Sequence, residues 1–200
     1  MTKVKSPESL EAKTIVIAGA AGFVPSHVAE LYLNLGAKVI GLDNFITGSQ
    51  SNIELLSKYE KFDFHETNIY ESIPDFKDLN IDFIFSLASP ASPIDFSKIP
   101  LEIMRVNSEG TLALLELAKE KGSRFLEAST SEVYGDPEIH PQTENYWGHV
   151  NPNGIRSCYD EGKRCAETLF FDYYRQHNIR IKIARIFNTY GQNMHPNDGR

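Results

Sequence analysis

The pattern of apolar and polar positions along the chain predicts alternating strands and helices. Short runs rich in β-branched and aromatic residues predict six strands, at 14–18, 38–42, 62–66, 81–87, 124–128 and 179–186. Longer segments between them carry apolar residues three or four positions apart, which is typical of helices. This alternation favours the α/β class, with a doubly wound, Rossmann-like parallel sheet in the strand order 3-2-1-4-5-6.

Helical spacing also predicts which side of two helices packs on the sheet. Val28, Leu31 and Leu35 define such a face after the first strand. The segment 101–121 is a long helical candidate that ends at Gly122. Its predicted face consists of Met104, Ser108, Leu112, Leu115 and Ala118.

A glycine turn joins the first predicted strand to the first predicted helix. Gly19 and Gly22 allow backbone N–H groups to approach a pyrophosphate, and the helix N-terminus adds a favourable partial charge. Asp43 follows the second strand, where a carboxylate binds ribose hydroxyls and favours NAD over NADP. Pro25 stands where the spacing calls for a third small residue. An ordinary tight turn is the alternative interpretation.

A Tyr-x-x-x-Lys pair begins the helix predicted at 159–176. Residues four apart lie on one helix face, so the Lys163 ammonium would sit beside the Tyr159 phenol and favour the phenolate, which can act as a base. Taken alone, the pair is more simply explained as two surface residues, because matches this short recur by chance.

A hydroxyl cluster follows the fifth predicted strand. Thr130 and Ser131 precede Glu132, at the strand end where open α/β sheets bind ligands. Hydroxyls and a carboxylate there would orient a substrate and move protons. The alternative is a capping or turn cluster that satisfies free backbone groups.

Composition narrows the class of protein. The 200 residues, 41% hydrophobic, fit one domain at 14–200 after a polar extension at 1–13, which has no apolar stretch suited to a signal peptide or membrane anchor. The net charge of −7 argues against nucleic-acid binding.

Cys158 and Cys165 lie two helical turns apart, which disfavours a disulfide and fits a reducing, cytoplasmic location. The scattered histidines predict no metal site.

Together these motifs resemble the extended short-chain dehydrogenase/reductase superfamily. Longer stretches, at 87–93, 128–152, 158–168 and 184–191, resemble the UDP-glucuronate decarboxylases. The resemblance implies NAD as cofactor, a UDP-sugar (UDP-glucuronate) as substrate and a homodimer. It also implies a continuation beyond Arg200, so that the chain lacks most of a C-terminal substrate domain. The alternatives are a nucleotide-sugar 4,6-dehydratase, a 4-epimerase and a non-catalytic NAD-binding module. Ser131-Glu132 after Thr130 resembles the decarboxylases, because a dehydratase would have Asp-Glu at these two positions.

The resemblance also implies roles for individual residues. Tyr159 would be the base at the sugar C4 hydroxyl, assisted by Lys163 and Thr130, with Glu132 and Ser131 orienting the sugar. The implied cofactor contacts are Gly19, Gly22, Phe23, Val24, Asp43, Asn44, Phe45, Thr47, Ile69, Leu87, Ser89, Ala128, Tyr159, Lys163, Thr189, His195 and Arg200. The implied substrate contacts are Asn188 and Tyr173.

Overall fold

The chain folds around a single parallel β-sheet. The computed structural model describes residues 10–195. Its six strands are β1 (Thr14–Ala18), β2 (Lys38–Asp43), β3 (Phe62–Glu66), β4 (Phe83–Ser86), β5 (Arg124–Thr130) and β6 (Ile181–Ile186). Every neighbouring pair is parallel, and the order is β3-β2-β1-β4-β5-β6. The predicted fold class and strand order are confirmed.

Helices cover both faces of this sheet. They are α1 (Phe23–Asn34), α2 (Gln50–Leu56), α3 (Pro93–Phe96), α4 (Pro100–Arg105), α5 (Thr111–Lys121) and α6 (Ser157–His177). A π turn at Val106–Gly110 joins α4 to α5 with helical dihedrals at both junctions, so the predicted long helix is one rod with a wide turn inside it. Gly122, at φ +64°, ends the rod in the left-handed conformation.

Two hydrophobic cores lie on the two sides of the sheet, and alternate residues of each strand contribute to them. In β1, Ile15 and Ile17 pack under α1, whereas Val16 and Ala18 pack under α5 and α6. Because both faces are covered, the strand is apolar throughout and shows no polar alternation.

The predicted helix faces are partly wrong. Leu31 and Leu112 are 55% and 41% exposed, although Leu115 is fully buried. Helix α1 instead turns Ser26, Ala29 and Leu33 towards the sheet. Short side chains allow its backbone to approach the strands closely, a reason for burial that apolar spacing does not reveal.

The described part of the chain contains neither a helix suited to cross a membrane nor a group of side chains arranged to hold a metal ion. Between residues 10 and 195, no helix has the length and apolar character needed to cross a membrane. Over the same range, no group of three or more His, Cys, Asp or Glu side chains is arranged to hold a metal ion. Cys158 and Cys165 are free thiols.

Candidate active site

The glycine turn brings the end of β1 against the end of β4. Gly19 has φ +85°, and a side chain there would place its Cβ 2.8 Å from Ala88 Cα, so both backbone freedom and small size are required. Helix α1 begins immediately after Gly22, which has no side chain to cap it. The N–H groups of Phe23 and Val24 therefore have neither intrahelical acceptors nor a capping side chain, an arrangement that fits the diphosphate of a dinucleotide.

Pro25 is accommodated inside this first turn. It is the third residue of α1, where its missing N–H would have no intrahelical acceptor, and it is buried. A Cβ on Gly22 would lie 3.3 Å from the Pro25 ring, so the ring fills the space beside the turn. The proline removes one donor from the helix N-terminus but leaves the fold intact.

Asp43 links the end of β2 to the turn. Its two carboxylate oxygens accept the N–H groups of Ala21 at 3.0 Å and Phe45 at 2.8 Å. Burial raises the pKa of Asp43 above its ordinary value, and those backbone hydrogen bonds oppose the shift. The carboxylate is thus held at the strand end, where the sequence predicted a ribose contact.

Asn52 on α2 supports the same turn and was not predicted from the sequence. It is 3% exposed, and its amide donates to the Ala21 carbonyl at 2.9 Å and to the Gly22 carbonyl at 3.4 Å. An asparagine in a short polar helix carries no signal of this contact in the sequence.

Tyr159 and Lys163 are not surface residues. Their exposed fractions are 7% and 3%, and both line the main cleft. The Tyr159 ring stacks on Phe96 with centroids 5.1 Å apart. The Lys163 ammonium donates to Glu127 Oε1 at 3.0 Å and to the Ala128 carbonyl at 2.8 Å. The interpretation as an exposed helical pair is wrong, because α6 packs against α4 and β5.

The hydroxyl cluster at the end of β5 faces the same cleft. Thr130 Oγ1 accepts the Glu132 N–H at 3.3 Å and caps a 3₁₀ turn at Ser131–Tyr134, so the capping interpretation is also correct. Arg156, just before α6, donates to the Glu132 carboxylate and lies over the Phe96 ring. Arg156 is a charged cleft residue that sequence reasoning missed.

Most predicted site residues line two adjoining cavities. The larger, of about 1030 Å³, is lined by Gly22, Phe23, Val24, Thr47, Leu87, Ser89, Ala128, Thr130, Ser131, Glu132, Tyr159, Lys163, Asn188, Thr189 and His195. The smaller, of about 80 Å³, adds Gly19, Asp43, Asn44 and Ile69. Two cavities that share Gly22 of the glycine turn offer room for a dinucleotide and a second ligand.

Three predicted residues do not join them. Tyr173 lies outside the lining of both cavities, and its hydroxyl donates to Glu116 on α5, so its contact with substrate stays a prediction. The Phe45 side chain packs on Phe64, with centroids 5.4 Å apart, and contributes its N–H to Asp43 rather than lining a cavity. Arg200 lies outside the described residues.

A partly buried ion pair connects α6 to β6. Glu167 accepts from the Ser129 hydroxyl at 2.5 Å and from Arg185 on β6 at 2.7 Å. Burial by itself would raise the pKa of Glu167, but the hydrogen bonds from Arg185 and Ser129 outweigh it and hold that pKa below its ordinary value. The pair stabilises the wall that presents Tyr159.

Asp160 is a second buried acid, next to Tyr159 in the chain. Its Oδ1 has no hydrogen-bond partner among residues 10–195. Burial raises its pKa to about 6, the Arg156 guanidinium opposes the shift, and the charges of Glu132 and Glu161 add to it. An acid whose pKa is raised on folding favours the protonated form, so its cost to stability appears as the pH rises from about 4 to above 6.

We therefore expect Asp160→Asn to stabilise the fold at about pH 7.5, by about 1–2 kcal/mol, with the gain shrinking as the pH is lowered towards 4. Urea unfolding midpoints across this pH range measure it. Asp172→Asn, at an exposed position of the same helix, is the matched control and should show no such gain. Equal stability of Asp160→Asn and the unchanged chain at pH 7.5 would contradict the expectation.

Comparison with known proteins agrees with this geometry. The family described as "Epimerase: NAD dependent epimerase/dehydratase family" matches residues 15–200. UDP-glucuronic acid decarboxylase 1 of Danio rerio is 48% identical over 197 residues, covering 98% of this chain and 46% of that protein. UDP-glucuronic acid decarboxylase 6 of Arabidopsis thaliana is 52% identical over 187 residues, covering 93% and 53%. The chain spans about half the length of these curated relatives.

A solved structure extends the comparison. UDP-glucuronic acid 4-epimerase from Bacillus cereus, in complex with UDP-glucuronic acid and NAD, superposes with a TM-score of 0.80 at 29% identity, covering 92% of this chain and 59% of that one. The strand order, the glycine turn and the family match over nearly the whole length lead to one assignment. The chain belongs to the NAD-dependent epimerase/dehydratase family.

Proposed function

We propose that this chain is the cofactor-binding part of a UDP-glucuronate decarboxylase, which converts UDP-glucuronate to UDP-xylose and carbon dioxide. The observation that carries the proposal is the buried Tyr159–Lys163 pair, on the wall of the same cleft as Thr130 and Glu132. Identities of 48% and 52% to proteins named UDP-glucuronic acid decarboxylase support the choice of reaction.

NAD fits the residues that the chain provides. The uncapped start of α1 would hold the diphosphate, Asp43 the adenosine ribose, and the Lys163 ammonium the nicotinamide ribose. When bound, the oxidised cofactor accepts a hydride from C4 of the sugar and gives it back to the same carbon.

The side chains of the cleft would manage protons and orientation. Tyr159 takes the proton of the C4 hydroxyl as the hydride leaves, and Thr130 donates a hydrogen bond to that oxygen. The resulting ketone is β to the carboxylate, so the C–C bond to the carboxylate breaks, carbon dioxide leaves, and its electron pair enters the C4 enolate. Glu132 and Ser131 orient the sugar and assist the transfer of a proton from water to C5, and Tyr159 returns its proton to the C4 oxygen once C4 is reduced.

A second candidate is 4-epimerisation of the same nucleotide sugar. The superposed Bacillus cereus protein, named UDP-glucuronic acid 4-epimerase, supports it. Both reactions begin with oxidation at C4 and differ in whether carbon dioxide is lost before the hydride returns. The product therefore separates them.

Product analysis tests the function. The chain, and the chain joined to the C-terminal part of the Danio rerio relative, are incubated with NAD⁺ and UDP-glucuronate carrying ¹³C at C6. Release of labelled carbon dioxide with formation of UDP-xylose supports decarboxylation. UDP-galacturonate that keeps the label would support the epimerase, and no product from the joined protein would overturn both.

Cofactor binding by the chain itself is tested by titration with NADH, followed by the fluorescence of NADH. We expect binding, and we expect Pro25→Gly to tighten it about three- to tenfold, because an additional N–H becomes available at the start of α1. Pro25→Ala also restores the N–H but keeps a side chain beside Gly22. Its affinity therefore distinguishes the effect of the added hydrogen-bond donor from the effect of removing the side chain. Equal affinities of all three proteins would show that the proline does not limit binding.

A homodimer built through α5 and α6 is part of the proposal. Both helices expose large apolar side chains, with Leu112 at 41%, Phe171 at 45% and Tyr174 at 51%. Light scattering after gel filtration measures the mass. A monomer in both the chain and the joined protein would contradict the dimer.

A further inference from the structure

Glu127 is a buried acid that the proposed reaction leaves without a role. It lies in the middle of β5 with 0% exposure, one position before the cleft residue Ala128. Its Oε1 accepts from the Lys163 ammonium at 3.0 Å. Its Oε2 has no hydrogen-bond partner within the described part of the chain. A buried carboxylate with one ionic partner is costly, so a function is worth seeking.

The Lys163 ammonium is directed by two fixed acceptors. Of its three N–H groups, one is taken by Glu127 and one by the Ala128 carbonyl at 2.8 Å. One donor therefore remains for the cleft that Lys163 lines. Glu127 does not line the cleft itself, so it can act on a bound ligand only through Lys163 and through its charge.

The negative charge of Glu127 changes the relative affinity of the site for the oxidised and the reduced cofactor. The nicotinamide ring is cationic when oxidised and neutral when reduced, so an uncompensated ammonium beside it favours the reduced form. The carboxylate of Glu127 gives the buried pair a net charge of zero and removes that bias. We propose that Glu127 is a positioning residue that acts through Lys163 and keeps the site from favouring the reduced cofactor.

The proposal rests on the proposed use of NAD and explains a requirement of that chemistry. A reaction that takes a hydride and returns it starts each cycle with the oxidised cofactor. A site that retains the oxidised cofactor can begin the next cycle. A site that favours the reduced cofactor would hold a form that cannot accept the hydride. A unit charge in a partly buried site changes the ratio of the two affinities by about three- to thirtyfold.

The test compares affinities for NAD⁺ and NADH by calorimetry, with the unchanged chain and Glu127→Gln at one pH. We expect the ratio Kd(NAD⁺)/Kd(NADH) to rise about tenfold in Glu127→Gln, because the amide still accepts a hydrogen bond from Lys163 but carries no charge. Glu127→Asp, which keeps the charge, should restore the original ratio within about threefold. Glu167→Gln is the matched control: it neutralises a buried acid paired with Arg185 and should leave the ratio unchanged.

The outcomes are distinct. Equal weakening of both affinities in Glu127→Gln would mean a merely structural role and would overturn the proposal while leaving NAD binding intact. Failure of the unchanged chain to bind either form would overturn the cofactor assignment, and this inference with it. If Glu127→Gln does not fold, the neutral pair Lys163→Met/Glu127→Leu is measured instead. Its ratio should match that of the unchanged chain, and a difference above about tenfold would contradict the charge argument.

Discussion

Lys163→Met is expected to lower the free energy of unfolding of the chain by about 3–5 kcal/mol, in addition to any effect on catalysis. The substitution removes the ionic partner that Glu127 has among residues 10–195, and the Glu127 side chain has 0% exposure. An unpaired carboxylate there has no water to solvate it. Urea unfolding followed by circular dichroism measures the loss.

A second substitution separates charge from packing in this result. Lys163→Met/Glu127→Leu replaces the ion pair with two apolar side chains of similar volume, and we expect it to recover most of the lost stability. If Lys163→Met lowers the free energy of unfolding because the packing of the Lys163 side chain is lost, the double variant will be as unstable as Lys163→Met. Such a result would contradict the attribution of the stability loss to the unpaired Glu127 carboxylate. It follows that a lysine variant used to test catalysis needs the double variant as its control.

Tyr159→Phe is expected to lower the turnover of UDP-glucuronate about 10²–10⁴-fold in the chain joined to the C-terminal part of a relative. The variant loses the hydroxyl that would accept the C4 proton, but it keeps the ring that stacks on Phe96. Turnover at saturating UDP-glucuronate measures the effect, with labelled carbon dioxide as the signal.

Two controls accompany the tyrosine variant. The thermal unfolding temperature and the NADH affinity of Tyr159→Phe should stay close to those of the unchanged protein, because the packing of the ring is retained. Phe170→Leu, in the hydrophobic core of the same helix, should lower stability without a comparable loss of turnover per folded molecule. Turnover of Tyr159→Phe within threefold of the unchanged protein would exclude Tyr159 as the base.

The comparison of Asp160 with Glu167 shows how one helix holds acids in different states. Glu167 is paired with Arg185, and its pKa is held down despite burial. Asp160 has an oxygen without a hydrogen-bond partner in the described part of the chain, and its pKa is raised to about 6 by burial. Near neutral pH, the paired Glu167 stabilises α6, whereas Asp160 lowers the stability of the same helix. The helix that carries Tyr159 therefore contains one stabilising and one destabilising buried acid.

Local sequence patterns were sufficient to predict the strand order, the glycine turn, the position of Asp43 and the placement of Tyr159 and Lys163 on one helix. These features depend on local patterns: apolar runs of strand length, glycines where the backbone must turn or approach closely, and residues four apart on a helix. The right-handed connection of parallel strands then limits the sheet to few arrangements. Leu31 was misassigned because apolar spacing does not distinguish a helix face that packs through small residues.

Contacts between side chains of different helices and strands could be identified only in the folded chain. Tyr173 follows Tyr159 on the same helix, yet it contacts α5 and not the cleft. Asn52, Arg156 and Glu127 reach the site from segments with no motif of their own. Contacts between residues more than 20 positions apart depend on how the helices are rotated and packed on the sheet, and no local pattern records that rotation. The partner of Lys163 is the clearest case, because a glutamate inside a strand becomes meaningful only when α6 lies above it.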